Sequence, residues 1–274
     1  MTSESLLNHL KKYKIIIAIA ALAQTCLSYL LFHIPINPYL LLFVTIATPL
    51  SYNLAESFSY SLNKEKLSLF TIEKLFFAFT FAFLIYLASH LSKNIICQFA
   101  IAAMIAVGYN LPLKINKNNT FRLRQIKGLK VFLIAFCWTF VTVYIPINFY
   151  FVNKISLAIV LINHFLFVAV LSLLFDIKDL QKDKANSLHS IPILIGERRA
   201  YQMIRFVFAF LFMSTCLLYA NFGKATTAAL LLHMLFSYFV IFKFKSRHQN
   251  FYYTVLIDGL LISQALVVWI AKNL

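Results

Sequence analysis

The sequence predicts an all-α fold, a polytopic membrane bundle of about nine transmembrane helices forming a single transmembrane domain over residues 1–274. Three observations predict it. Hydrophobic residues make up 61% of the chain and charged residues 12%, with a mean hydropathy of +0.80, too little polar surface for a water-soluble domain of this length. Nine apolar runs approach the roughly 20 residues that a helix needs to span hydrocarbon. Lysine and arginine are split unevenly between the connections, the pattern that membrane topology produces.

The runs fall near 15–33, 39–57, 74–91, 95–112, 129–147, 156–175, 200–220, 225–243 and 251–271. The first follows Lys11, Lys12 and Lys14, as the core of a signal peptide does. Too little apolar sequence precedes the small residues Ala21 and Ala23 for cleavage there, so the run reads as a membrane helix. The third and fourth runs are a few residues apart and imply a tight hairpin. With the N-terminus in the cytoplasm, 21 of the 25 basic residues lie inside, and only Lys93, Lys154, Lys224 and Lys272 lie outside. The expectation is therefore an inside N-terminus and an outside C-terminus, in the inner (cytoplasmic) membrane of the cell. The longer connections, 58–73, 113–128 and 176–199, share the inner side, where loops on a rigid scaffold carry function.

A net charge of +16 would suit a nucleic-acid protein, but these charges sit in short loops between apolar runs, so no nucleic-acid partner is expected. Cys26, Cys97, Cys137 and Cys216 all lie inside apolar runs with no C-x-x-C pair, which reads as small apolar packing and not zinc or redox chemistry.

Three of the nine acidic residues are packed into Asp176-Ile-Lys-Asp179-Leu-Gln-Lys-Asp183, where the sixth run ends. Offsets of three and seven residues place them on one helical stripe. Carboxylates that close repel one another unless a cation sits between them, and hard cations such as Mg²⁺ take oxygen ligands. The alternative is a solvated helix end neutralised by Lys178, Lys182 and Lys184.

The stretch continues through Ser187 and Ser190 to Pro192 and Gly196. Here the chain resembles the UbiA superfamily of intramembrane prenyltransferases, whose second aspartate-rich motif reads D-x-x-D-x-x-x-D-x-x-x-G-x-x-T-x-P-x-x-x-G. The three aspartates, the proline and the last glycine are in register, with Ser187 for the glycine and Ser190 for the threonine. The nine-helix, N-inside layout is similar over the whole chain, and Tyr109-Asn-Leu-Pro112-Leu-Lys114 looks like the family's aromatic–proline–lysine segment.

The resemblance implies a UbiA prenyltransferase-like bundle that binds a polyprenyl diphosphate through Mg²⁺ and transfers the prenyl group to an aromatic or other lipophilic acceptor. It implies catalytic and metal-ligating roles for Asp176, Asp179 and Asp183. It implies phosphate-binding roles for basic residues, with Lys114, Arg122, Arg124 and Arg198 as candidates. The family's first motif is degenerate in this chain. Asn53 matches and is a substrate-binding candidate, but Ser57 and Ser61 stand where aspartates are expected, and Glu56 is acidic one residue out of register. Three outcomes follow: Glu56 serves as a substitute metal ligand, one metal is held by the second motif alone, or the protein binds an isoprenoid lipid without turning it over.

Asp258 lies inside the ninth run, where an acid is costly and by default functional. It is read as an interhelical tie to His233 or His164, or as a proton-relay or acceptor-binding group. Asn163, His164 and His233 read as interhelical hydrogen-bond partners, and Trp138, Thr139 and Thr142 as core packing or the lining of an acceptor pocket. Lys114, Arg122 and Arg124 also suit contact with anionic membrane lipid. A small proton-coupled transporter using Asp258 and the histidines is a remaining alternative, disfavoured by the nearly apolar outer half. Oligomeric state, prenyl length and acceptor identity are left open.

Overall fold

The computed structural model describes residues 14–61, 71–110, 113–116, 119–121, 126–185, 189–243 and 251–274. Within them the chain is helical apart from a short antiparallel ribbon, β1 (Leu113–Asn116) against β2 (Asn119–Phe121). Nine long helices among the described residues occupy the nine apolar runs. In chain order these are α1 (Ile15–Phe32), α2 (Pro38–Ser61), α3 (Thr71–Ser89), α4 (Lys93–Asn110) and α5 (Leu129–Ile147). They continue with α6 (Lys154–Lys178), two short helices α7 (Leu180–Ala185) and α8 (Ile191–Ile195), then α9 (Glu197–Cys216), α10 (Tyr219–Phe242) and α11 (Asp258–Asn273). By length and composition α1, α5, α6, α10 and the stretch Val255–Asn273 are each able to cross a membrane, which makes this a multi-pass membrane fold. Helix α9 opens on Glu197, Arg198 and Arg199.

The starts of the helices are written in local chemistry. Asn37 Oδ1 accepts from Leu40 N at 3.1 Å and Pro38 takes the first helical position, so α2 begins with a side-chain cap and a residue whose missing N–H costs nothing there. Asn153 caps α6 by accepting from Ile155 N at 2.9 Å and Ser156 N at 3.1 Å. Two features leave no trace in the hydrophobic pattern. The backbone widens to π-helix over Phe140–Tyr144 within α5 and over Tyr252–Ile257 just before Asp258, a geometry often found at functional sites. Within α10 the chain kinks at Gly223, where φ is 78° and ψ 174°, close to the predicted start of that run at 225.

Helix α6 packs chiefly against α5 and α9, and its Phe167, Leu171 and Leu174 share one buried core with Ile204 and Leu211 of α9, Ile257 of the π turn and Leu260 of α11. The first and last long helices close the ring. Gln24 Nε2 donates to Leu261 O at 2.6 Å and to Gln264 Oε1 at 3.1 Å, and Lys272 Nζ donates to Leu30 O at the opposite end. Helices α3 and α4 sit outermost, exposing Phe79, Phe81, Tyr86 and Met104, as lipid-facing helices do.

Candidate functional site

The aspartate-rich segment closes α6. The helix formally ends at Lys178, yet Asp179 N still donates to Phe175 O at 2.9 Å and Asp183 N to Asp179 O at 2.8 Å. The hydrogen-bonded path thus runs through the cap into α7, although Asp179 itself leaves the helical region (φ −86°, ψ 8°). Their environments differ. Asp176 is 0% exposed and accepts through Oδ1 from Lys130 Nζ at 2.5 Å, whereas its Oδ2 is buried with no hydrogen-bond partner among the described residues. Asp183 is 6% exposed, and Asp179 is half-buried. Among the described residues no group of three histidine, cysteine, aspartate or glutamate side chains converges to hold a metal.

Beside this segment lies a cavity of about 420 Å³. Its polar wall carries Lys14, Lys130, Lys178, Asp179, Asp258 and Ser172, and its other wall is apolar, built by Ile16, Ile134, Val168, Leu171 and Leu261 around Tyr52 and Trp138. Each charged group arrives from a helix end. Lys14 precedes α1 in the left-handed region (φ 52°), Lys130 is the second residue of α5, and Asp258 opens α11 directly after its π turn. Lys178 lies over the Tyr253 ring at 4.9 Å and the Phe175 ring at 5.7 Å, contacts that hold an ammonium without neutralising it. One wall of the cavity is fastened by Trp138 Nε1 donating to Tyr52 OH at 3.0 Å.

Of the residues singled out in the sequence, Asp179 and Asp258 meet in this cavity, and Asp176 is joined to it through Lys130. Asn53 is half-buried next to Tyr52, the residue by which α2 reaches the cavity wall. Arg198 is exposed at the start of α9, apart from the described lining. Glu56 is on α2 and Lys114 on β1, but their side chains, like the whole of Arg122 and Arg124, lie outside the described residues.

The expected tie between Asp258 and a histidine is not what the structure shows. His233 Nε2 lies 2.9 Å from Leu260 O and 3.1 Å from Ser263 Oγ, while His164 lies between Thr139 Oγ1 at 3.0 Å and Thr142 Oγ1 at 3.3 Å. The reason is helical phase. Asp258 and Leu261, three residues apart, share the face toward the cavity, whereas Leu260 and Ser263 turn toward α10. Asn163 likewise pairs with Ser214, and its Nδ2 donates to Thr215 Oγ1 at 3.4 Å.

Sequence reading treated Lys14 as a topology signal, Lys178 also as a neutraliser of the aspartates and Lys130 also as the end of a basic loop, and it gave no role to Tyr52 or Ser172. One signal was available for Lys130, a full charge placed just inside the start of an apolar run.

The buried Asp176 Oδ2, which has no partner among the described residues, is an oxygen acceptor of the kind that a hard divalent cation takes.

No protein-family model and no curated protein matches the chain by sequence. Solved structures match its fold. A UbiA homologue from Archaeoglobus fulgidus bound to GPP and Mg²⁺ aligns with a TM-score of 0.65 at 13% identity, covering 95% of this chain and 99% of that one. A UbiA homologue from Aeropyrum pernix K1 in its apo form gives a TM-score of 0.63 at 14% identity, covering 94% and 98%. A structure of digeranylgeranylglyceryl phosphate synthase gives 0.60 at 15% identity over 99% and 100%. At these identities the likeness establishes a shared fold along nearly the whole chain.

Proposed function

We propose that this protein is a UbiA-family intramembrane prenyltransferase, moving a polyprenyl group from its diphosphate to an aromatic or other lipophilic acceptor in a Mg²⁺-dependent reaction. The observation that carries the proposal is the 420 Å³ cavity, where three lysines and two aspartates face an apolar wall. Such a cavity matches an amphiphile with a polyanionic head and a hydrocarbon tail. The fold shared with a homologue bound to GPP and Mg²⁺ supports the same reading.

The chemistry follows from the side chains. Lys14, Lys130 and Lys178 balance the charge that gathers on the diphosphate as the allylic C–O bond breaks and its electron pair leaves with the oxygen. Bound Mg²⁺ supplies Lewis-acid stabilisation of that leaving group. Asp176, Asp179 and Asp183 are the residues to hold it, with Glu56 completing the set in place of the missing first-motif aspartates. Trp138 and Tyr52 offer aromatic faces to an electron-poor allylic carbon and keep water from it. The acceptor's electron pair forms the new bond to that carbon, and Asp258 orients the acceptor and takes the proton it loses. Asn53, Lys114, Arg122, Arg124 and Arg198 are assigned to steadying the head group or anionic lipid around it.

The test is Mg²⁺-dependent release of pyrophosphate from geranyl diphosphate by the purified protein in lipid nanodiscs. Release that chelation abolishes supports the reading, and absence of any Mg²⁺-dependent binding overturns it. The serines at 57 and 61 favour one second reading, an isoprenoid-lipid binder without turnover. Binding without release identifies it.

A further inference from the structure

The basic end of α9 lies apart from the described lining of the lysine cavity. Arg198, Gln202, Arg205, Ala209, Phe212 and Cys216 follow one another at spacings of four and three, so they share one face of α9, and all are exposed. Chemistry divides that face. Its first turns carry Arg198, Gln202 and Arg205, and the rest is apolar, flanked by exposed Phe206 and Met213. The opposite face, with Ala200, Ile204, Phe208 and Leu211, is buried in the bundle.

Arg205 lies seven residues beyond Arg198, about 10 Å at the helical rise, where the apolar part of the face begins. Its Cζ stands 5.1 Å from the centroid of the Phe242 ring at the end of α10. Phe242 is set in turn by Tyr238, with centroids 4.6 Å apart, and by Tyr201 at 6.1 Å. A ring face attracts the guanidinium but leaves its charge in place. Lys243, next after Phe242, is exposed, and Lys245 and Arg247 follow in the sequence. Glu197 is the one acidic residue in the sequence of α9 and α10, and among the described residues Arg198, Arg205 and Lys243 form no ion pair.

We propose that this edge of α9 and α10 binds an anionic phospholipid. Arg205, with Arg198 and Lys243, holds the phosphodiester, and an acyl chain lies along Ala209 and Phe212. Charge complementarity along a single face names the occupant. Cations that give way at once to exposed apolar surface match a negative head joined to a hydrocarbon tail. A free phosphate leaves the apolar part of the face unused, and a zwitterionic lipid brings its own ammonium against the arginines. The forked donors of a guanidinium suit phosphate oxygens, which they bind in pairs. By the lysine and arginine count this end faces the cytoplasm, the side on which a membrane presents its negative surface. The site is independent of the prenyltransferase reading.

The experiment is native mass spectrometry of the full chain from micelles holding phosphatidylglycerol and phosphatidylcholine of matched acyl chains, with melting in nanodiscs of each lipid alongside. The wild type should retain phosphatidylglycerol with about tenfold preference or more, and should melt higher in its nanodiscs. Arg205→Gln and Lys243→Gln should each weaken that retention about fivefold, whereas Lys224→Gln, toward the other end of α10, should leave it unchanged. Lys243 is exposed, so its variant tests the site even where Arg205→Gln fails to fold.

Equal retention of the two lipids by the wild type overturns the proposal, as does an unchanged preference in the folded Arg205→Gln and Lys243→Gln variants. If Arg205→Gln lowers melting equally in both nanodiscs and keeps the preference, Arg205 is a packing partner of Phe242 and no lipid ligand. Inorganic phosphate binding as tightly as phosphatidylglycerol also overturns it and gives the face to a soluble anion.

Discussion

Asp176 combines three properties that rarely coincide in a carboxylate. It is fully buried, one oxygen is held by a lysine, and the other has no partner among the described residues. Asp176→Asn keeps the shape and removes the charge. It is expected to abolish Mg²⁺-dependent binding of geranyl diphosphate and to lower stability by about 1–3 kcal/mol, because Lys130 loses its partner. Lys130→Met should destabilise similarly, and the double variant should cost less than the two single changes combined, as groups in contact do. Additive thermal shifts would show that the pair is not coupled. Asp258→Asn should behave differently. Diphosphate binding should persist while transfer to a phenolic acceptor falls about 10²–10⁴-fold, the range for loss of a general base, and the decline in rate at low pH should disappear. Equal losses of binding and transfer would make Asp258 a structural counter-charge to Lys14 and Lys178.

At the scale of elements, the apolar runs located each long helix because the bilayer fixes both length and composition. The spacing of Asp176, Asp179 and Asp183 was legible in the sequence itself, but no converging group of three such side chains is found among the described residues. The π turns were not legible, because widening a helix by one residue leaves hydrophobic periodicity almost unchanged. The kink in α10 was half legible, as Gly223 marks it and no side-chain pattern does. Gly223 (φ 78°, ψ 174°) occupies backbone territory reserved for glycine, so Gly223→Ala is expected to cost about 1–3 kcal/mol. Gly259 in α11 is the control. A Cβ there meets nothing within 4 Å, so Gly259→Ala should be neutral or gain up to about 1 kcal/mol from helix propensity. Equal melting shifts in the two variants would count against the kink as built.

For the whole molecule, the basic residues predict the side of the membrane and the same residues build the cavity. The meeting of Lys14, Lys130 and Lys178 in one cavity was not legible, because it depends on how α1, α5 and α6 pack, which no local pattern encodes. Asp179 and Asp258 were found because acids are scarce in this chain. The orientation is checked by reporter fusions. One after Leu274 should report the outside and one within 113–128 the inside. A C-terminal reporter on the same side as the loop reporter would require an even number of crossings and defeat the nine-span arrangement.

The hydrogen bonds from Gln24 to Leu261 and Gln264 join residues 237 and 240 positions apart, and the cavity itself draws Lys14 from before the first long helix and Asp258 from the last. During synthesis, then, α1 enters the membrane long before its partner emerges from the ribosome. Until α11 arrives, Gln24 has neither acceptor, and the pocket lacks one wall and a carboxylate. The cavity is complete only once α11 has inserted. A chain that stops short of α11 therefore lacks both Asp258 of the cavity and the acceptors of Gln24.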